Sequence, residues 1–160
     1  MGDGAGSTLT PGQVRRRILS EHQDLRRLLT EVTRLAQEAR EAAEDSGPAS
    51  GALRDGTRRL HAMLMAHLDL EDRILVPAIR DADGFGPVRA QQLAAEHAAQ
   101  REELEITLGA VARAFGSGAE LATHVARFAD RLQRDMDHEE KAFLTEELLR
   151  DDIIRVGFIG

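Results

Sequence analysis

The stretch HLDLEDRILVP, residues 67–77, decides the fold. With the residues around it, it continues an apolar stripe at spacings of three and four: Leu60, Leu64, His67, Glu71, Leu75 and Ala78, with Ile74 as an adjacent choice. That spacing marks one face of an α-helix. Two positions on the stripe hold an imidazole and a carboxylate instead of aliphatic side chains. Both are costly to bury unless something pairs with them.

The same interruption recurs in three other segments. Ile18, His22, Leu25, Leu29, Val32 and Ala36 form one stripe, with His22 inside EHQDLRRLL. His97, Arg101, Leu104, Leu108, Val111 and Phe115 form another, opening in EHAAQREEL. Leu121, Val125, Phe128, Leu132, Asp135, Glu139 and Ala142 form the last, through DMDHE. The segment around His22 resembles that around His97, and HLDLEDRIL resembles DMDHEEKAF, a weak internal repeat of two helical hairpins. Four inward faces carrying His, Asp or Glu at matching levels point to a metal ion held inside a helical bundle.

Composition agrees. The chain has 160 residues, 42% hydrophobic and 31% charged, the size and balance of one domain with its own core. Ala, Leu, Arg and Glu dominate and favour helix, and β-branched residues are sparse. The net charge of −7, with basic residues interleaved among acidic ones, gives no attraction to nucleic acid or anionic membranes. Without cysteine, disulfides, Cys-ligated zinc and iron–sulfur clusters are excluded, so any metal is bound through nitrogen and oxygen. No apolar run approaches the roughly 18 residues of a membrane span and no signal peptide is evident, so a cytoplasmic location is expected.

Residues 1–10 read as a flexible leader, with Thr10 and Pro11 as N-cap and first helical residue. Four helices are predicted: from Pro11 to about Glu44, about Ala52 to Asp81 with Pro77 kinking or ending it, about Pro87 to Phe115, and about Ala119 to Arg150. Short links between long helices predict an all-α, antiparallel up-down-up-down four-helix bundle over residues 11–150. Residues 151–160, DIIRVGFIG preceded by Asp151, form an apolar tail that packs on its own bundle or a neighbouring subunit, or docks on a partner.

Residues four apart on a helix lie roughly 40° apart in azimuth and one turn apart in height. His67 with Glu71, and Asp135 with Glu139, therefore share one ion or bridge two. His22 and His97 each add an imidazole. Three imidazoles and three carboxylates suit iron, manganese or zinc, and suit calcium or magnesium poorly. Six such ligands hold two ions and leave open positions for a small molecule.

At these residues the chain resembles the hemerythrin-like, or HHE cation-binding, family, over about residues 13–146. That family places a His on the first helix, matched by His22. An HxxxE follows on the second, matched by His67 and Glu71, with Asp72 and Leu75-Val76-Pro77 after them. His97 matches the third-helix His. The fourth-helix HxxxE is matched by Asp135 and Glu139, followed by Glu140 and Phe143-Leu144. The resemblance implies a hemerythrin-like bundle with non-haem iron, generally di-iron, that meets O2, NO or peroxide, senses redox state or serves iron homeostasis. Members of the family are among the cargoes of bacterial nanocompartments, which makes a compartment shell a partner to consider for residues 151–160. A homo-oligomer is a further expectation.

Two positions depart from the family pattern. Asp135 stands where a His is expected. Arg101 stands where oxygen carriers have a second third-helix His, and an arginine cannot give up its proton to bind metal. Arg101 is expected to pair with Asp135 or Glu139, which leaves one iron position degraded and argues against reversible O2 carriage. His138 is the substitute imidazole for Asp135, and Glu140 the substitute for Glu139. His61 and His124 are expected on structural or solvated positions, and Glu21 and Glu96, each just before a ligand candidate, as solvated residues or as carboxylates behind the ligands. The alternative reading is a metal-free bundle, salt-bridged through Arg101, that acts as an interaction or cargo protein through its tail. An oxidase or peroxidase on the same centre is a third reading, for which the sequence supplies no substrate pocket. The first reading predicts that His67→Ala lowers metal content sharply while His61→Ala leaves it unchanged, as measured by elemental analysis of the purified variants. Equal loss in both would refute the assignment of faces.

Overall fold

The computed structural model describes residues 8–42, 47–113 and 118–152. Among these the chain is all-helical: α1 (Pro11–Glu41), α2 (Pro48–Leu70), a π-helical turn (Glu71–Leu75), α3 (Val76–Arg80), α4 (Gly86–Arg113) and α5 (Gly118–Ala142). α1 starts as its sequence requires. Thr10 Oγ1 accepts from the Gln13 backbone N–H, Gln13 Oε1 accepts from the Thr10 N–H, and Pro11 fills the first helical position.

Cross-helix partners run in opposite sequence order. Glu21 and Glu31 of α1 meet His67 and Arg59 of α2. Arg26 of α1 meets Asp137 and Glu140 of α5. Glu96 and Glu103 of α4 meet His138 and Arg131 of α5, and Arg101 of α4 meets Asp69 of α2. At the far end, a Cβ on Gly118 would lie 3.0 Å from the Ala39 carbonyl oxygen. A side chain there would push α5 and α1 apart by a few tenths of an ångström.

The buried apolar residues form two clusters. The larger contains Leu25, Leu29 and Val32 of α1, Leu53, Leu60 and Leu64 of α2, Leu104 of α4, and Leu121, Val125 and Leu132 of α5. The smaller contains Val14, Ile18, Leu75, Ile79, Leu93, Phe143, Leu144 and Leu149. On α1 the two clusters are separated by the turn that carries His22, and on α4 by the stretch from His97 to Arg101.

Four expectations need correction. First, the second helix runs on through Pro77 to Arg80, in keeping with its predicted end near Asp81, but its buried stripe passes through Ile79 and not Ala78. Proline has no N–H to give the Arg73 carbonyl and its ring crowds that oxygen. The wider turn just before it, where the Val76 N–H donates to the Glu71 carbonyl five residues back, relieves the crowding. The extra residue per turn rotates Ile79 rather than Ala78 into the core.

Second, α5 stops at Ala142 rather than Arg150. Phe143, Leu144 and Leu149 are all buried, and on a continued helix their azimuths would spread over more than half a turn. Unwinding lets all three face inward, and the Leu144 carbonyl is satisfied by the Arg15 Nε–H at 2.8 Å.

Third, the α4 stripe runs from His97 through Gln100 to Leu104, leaving Arg101 on its flank. Fourth, α2 starts at Pro48, inside the segment read as a loop. Phe115, residues 43–46, most of the leader and residues 153–160 lie outside the described residues.

Leu60 is fully buried in the larger cluster. Leu60→Ala should cost about 2–5 kcal/mol in denaturant unfolding, whereas Phe85→Ser at the exposed turn should stay within about 0.5 kcal/mol.

Candidate metal centre

The polar layer between the two cores is built from one turn of each long helix. α1 contributes His22, the end of α2 and the π turn contribute His67 and Glu71, α4 contributes His97, and α5 contributes Glu139. All five are 5% exposed or less. Their stripes lead into the layer from leucines above and below, so packing on both sides sets the height of each ligand-type side chain.

The imidazoles turn their Nε2 atoms inward onto two carboxylates. Glu71 Oε1 lies 2.5 Å from His67 Nε2 and 3.3 Å from His22 Nε2, and Glu71 Oε2 lies 2.8 Å from His97 Nε2. Glu139 Oε1 lies 3.2 Å from His22 Nε2, and Glu139 Oε2 lies 3.3 Å from His97 Nε2. Each carboxylate thus offers one oxygen to the His22 side and the other to the His97 side.

The outward nitrogens are anchored. His22 Nδ1 donates to Glu140 at 2.9 Å, His67 Nδ1 to Glu21 at 2.8 Å and His97 Nδ1 to Asp72 at 2.7 Å. A carboxylate only accepts, so each Nδ1 carries the hydrogen and Nε2 is the nitrogen left for a cation. Arg26 steadies Glu140, and Arg101 steadies Asp72 at 2.7 Å.

The layer accounts for the titration shifts. Burial lowers the affinity of His22 and His97 for protons, but the facing carboxylates Glu139 and Glu71 outweigh it and raise both to about 10. His67 moves up for the same reason, through Glu71 and Glu21. Burial works to raise Glu71, yet three imidazoles hold it well below the usual carboxylate range. Glu139 is pushed up by burial and by the neighbouring charge of Glu71.

A divalent ion fits these residues. Ligand atoms of His22, His67, Glu71 and Glu139 all lie within 4.8 Å of one another. Glu139 Oε1 is buried and accepts no hydrogen bond. A void of about 10 Å³, room for one water-sized particle, sits among the donors and is also lined by Leu64, Gln100, Leu132, Asp135 and Met136. His97 stands across the carboxylates from that group.

The remaining predicted residues fall as follows. Asp135 is half-buried and lines the void, outside the group of four. Burial and the nearby Glu103 and Glu96 raise its carboxyl. Arg101 does not pair with Asp135 or Glu139. Its position on the α4 flank takes it to Asp69 and Asp72. His138 is exposed beside Glu96 and does not join the layer. Glu140 faces the outer nitrogen of His22, not the centre. Glu21, read as solvated or as a carboxylate behind the ligands, holds His67, and Asp72 holds His97. The sequence signal for Glu21 and Asp72 was a carboxylate one residue from a ligand-type side chain, which an exposed helix face shows equally often. His61 lies toward Glu105 and His124 toward Glu120, both away from the layer.

The profile of the hemerythrin HHE cation-binding domain matches residues 14–146. The chain belongs to the hemerythrin HHE cation-binding domain family. No curated protein and no solved structure matches it. With its buried His and Glu group, this is a metal-binding hemerythrin-like protein. Among the described residues, no helix is long and apolar enough to cross a membrane.

Two predictions follow from the anchored imidazoles. Glu21→Ala frees His67 Nδ1 and should weaken divalent-ion affinity by about 10–100-fold in chelator competition. The second concerns pH. The imidazoles of His22 and His97 are raised from 6.5 to about 10 in the metal-free fold. Their contribution to its stability is present below the unfolded value and is lost as pH rises toward the folded one. A cation must displace those protons, so its affinity rises over the same range. The unfolding midpoint of chelated protein should therefore fall between about pH 7 and pH 10, while metal uptake should release protons in an unbuffered titration.

Proposed function

We propose that this chain binds non-haem iron through His22, His67, Glu71, His97, Asp135 and Glu139. The centre is di-iron, or mono-iron where the His97 side stays unfilled. The observation that carries the reading is the inward convergence of three Nε2 atoms on two carboxylates around an ion-sized void, with every Nδ1 held by an outer carboxylate. Glu71 and Glu139, each facing both sides, are the bridging groups. Two imidazoles serve the His22 side. On the other stand His97 and the carboxylates, while Asp135 borders the void on the His22 side as a further donor, so the two sides differ in strength. Manganese and zinc accept the same nitrogen and oxygen donors.

Bound iron would supply a one-electron couple and an open position for O2, NO or peroxide. The protein's own contribution is positional. Glu140, Glu21 and Asp72 fix the imidazole orientations. Leu64, Leu132 and Met136 wall the void with apolar surface and limit water around it. This supports sensing or handling of O2, NO, peroxide or redox state, or a role in iron homeostasis.

The reading extends to an antiparallel up-down-up-down bundle over residues 11–150, supported by the reversed order of the cross-helix pairs, in a cytoplasmic protein that forms homo-oligomers. Residues 1–10 are the leader. Residues 151–160 are the docking segment for a partner such as a compartment shell, a proposal that rests on their apolar composition. The metal-free alternative loses its main support, because Arg101 pairs with Asp69 and Asp72 and reaches neither Asp135 nor Glu139. Elemental analysis and visible absorption of anaerobically iron-loaded, desalted protein test the proposal. About two irons per chain is expected for a filled centre and about one for a centre filled only on the His22 side. A colourless protein without iron would refute it.

A further inference from the structure

The buried layer poses a problem of access. The five central side chains expose 5% or less of their surface, so an ion must pass between helices to reach them. The void among the donors is lined on one side by Gln100 of α4 and Asp135 of α5. The same two residues line a surface cavity of about 290 Å³, together with Glu96, Ala99, Glu103 and His138. Two side chains therefore separate solvent from the unsatisfied Glu139 oxygen.

We propose that this acidic cavity between α4 and α5 is the inlet through which a divalent cation reaches the buried centre. The inference rests on the metal-binding reading above and adds the route and the residues that serve it. Glu96 and Glu103 stand at the outer rim, each about 30% exposed, facing the His138 imidazole and the Arg131 guanidinium. Asp135 stands deeper, in both cavities. A cation arriving at the rim thus meets carboxylates at successive depths, with Glu139 Oε1 at the end. Three carboxylates, Glu96, Glu103 and Asp135, line this cavity, and an excess of one sign of charge in a cleft raises the local concentration of the oppositely charged ligand. Gln100 gives the passage a neutral amide oxygen, and the neighbouring positive charge of Arg101 is kept out of it. Arg101 instead points to Asp69 and Asp72.

The test measures uptake rate separately from capacity. Full-length protein, stripped by chelation, is mixed anaerobically with ferrous ion, and the free ion remaining is trapped at successive times by a colorimetric chelator. Three variants are compared with the unaltered chain: the double variant Glu96→Gln with Glu103→Gln, Ala99→Phe as an uncharged plug at the exposed mouth, and Glu31→Gln as a remote control on α1. The double variant should take up iron about tenfold more slowly yet reach the same final content, and should lose most of the salt dependence of the rate. Ala99→Phe should also slow uptake, and Glu31→Gln should match the unaltered chain. Rates in the double variant and in Ala99→Phe equal to that control, with normal iron content throughout, would overturn the inlet and leave the metal centre standing. Absence of uptake by the unaltered chain would overturn both.

Discussion

Three imidazoles and two carboxylates share one layer of this bundle with almost no solvent, and the rest of the structure is arranged to make that tolerable. Each group alone would be costly to bury. Together they are satisfied in two directions: Nε2 atoms and carboxylate oxygens face one another at the centre, and the Nδ1 atoms reach carboxylates at the rim. In the metal-free fold protons hold the layer together, which is why the imidazoles are raised and Glu71 is lowered. A cation serves the same charges with fixed geometry. The orphaned oxygen of Glu139 marks where protons alone fall short.

This layer also fixes the register of the helices. It divides the apolar core in two, and α1 and α4 pass from one core to the other through it. A slip of one residue on any helix would carry a ligand-type side chain away from the centre and an aliphatic one into it. The π-helical turn at Glu71–Leu75 belongs to the same constraint. It begins at a central carboxylate, makes room for Pro77, and resets the helix so that Ile79 reaches the smaller core.

Much of this layer could be read from the sequence, because burial of His22, His67, Glu71, His97 and Glu139 follows from helical spacing, and the stripes around them are long. The helical class was legible for the same reason. What was hidden depended on tertiary neighbours. Spacing alone leaves Glu21 between solvent and an imidazole and offers Glu140 as a central ligand, until the imidazoles they hold are placed beside them. Gln100 and Arg101 lie three and four residues from His97, and spacing alone does not choose between them. Only packing against α5 turns Gln100 inward and sends Arg101 to the α2 side. The end of α5 was misread because Phe143, Leu144 and Leu149 are buried by unwinding, which no helical period describes. Asp135, aligned by spacing with Glu139, stands at the mouth of the centre beside Glu96 and Glu103.

X-ray absorption at the iron edge of the anaerobically loaded, desalted protein tests the central claim most directly. The account predicts a shell of nitrogen and oxygen donors only, with strong outer scattering from imidazole rings that falls in a His22→Ala variant. Bound iron without imidazole scattering would place the ion on surface carboxylates and contradict the account.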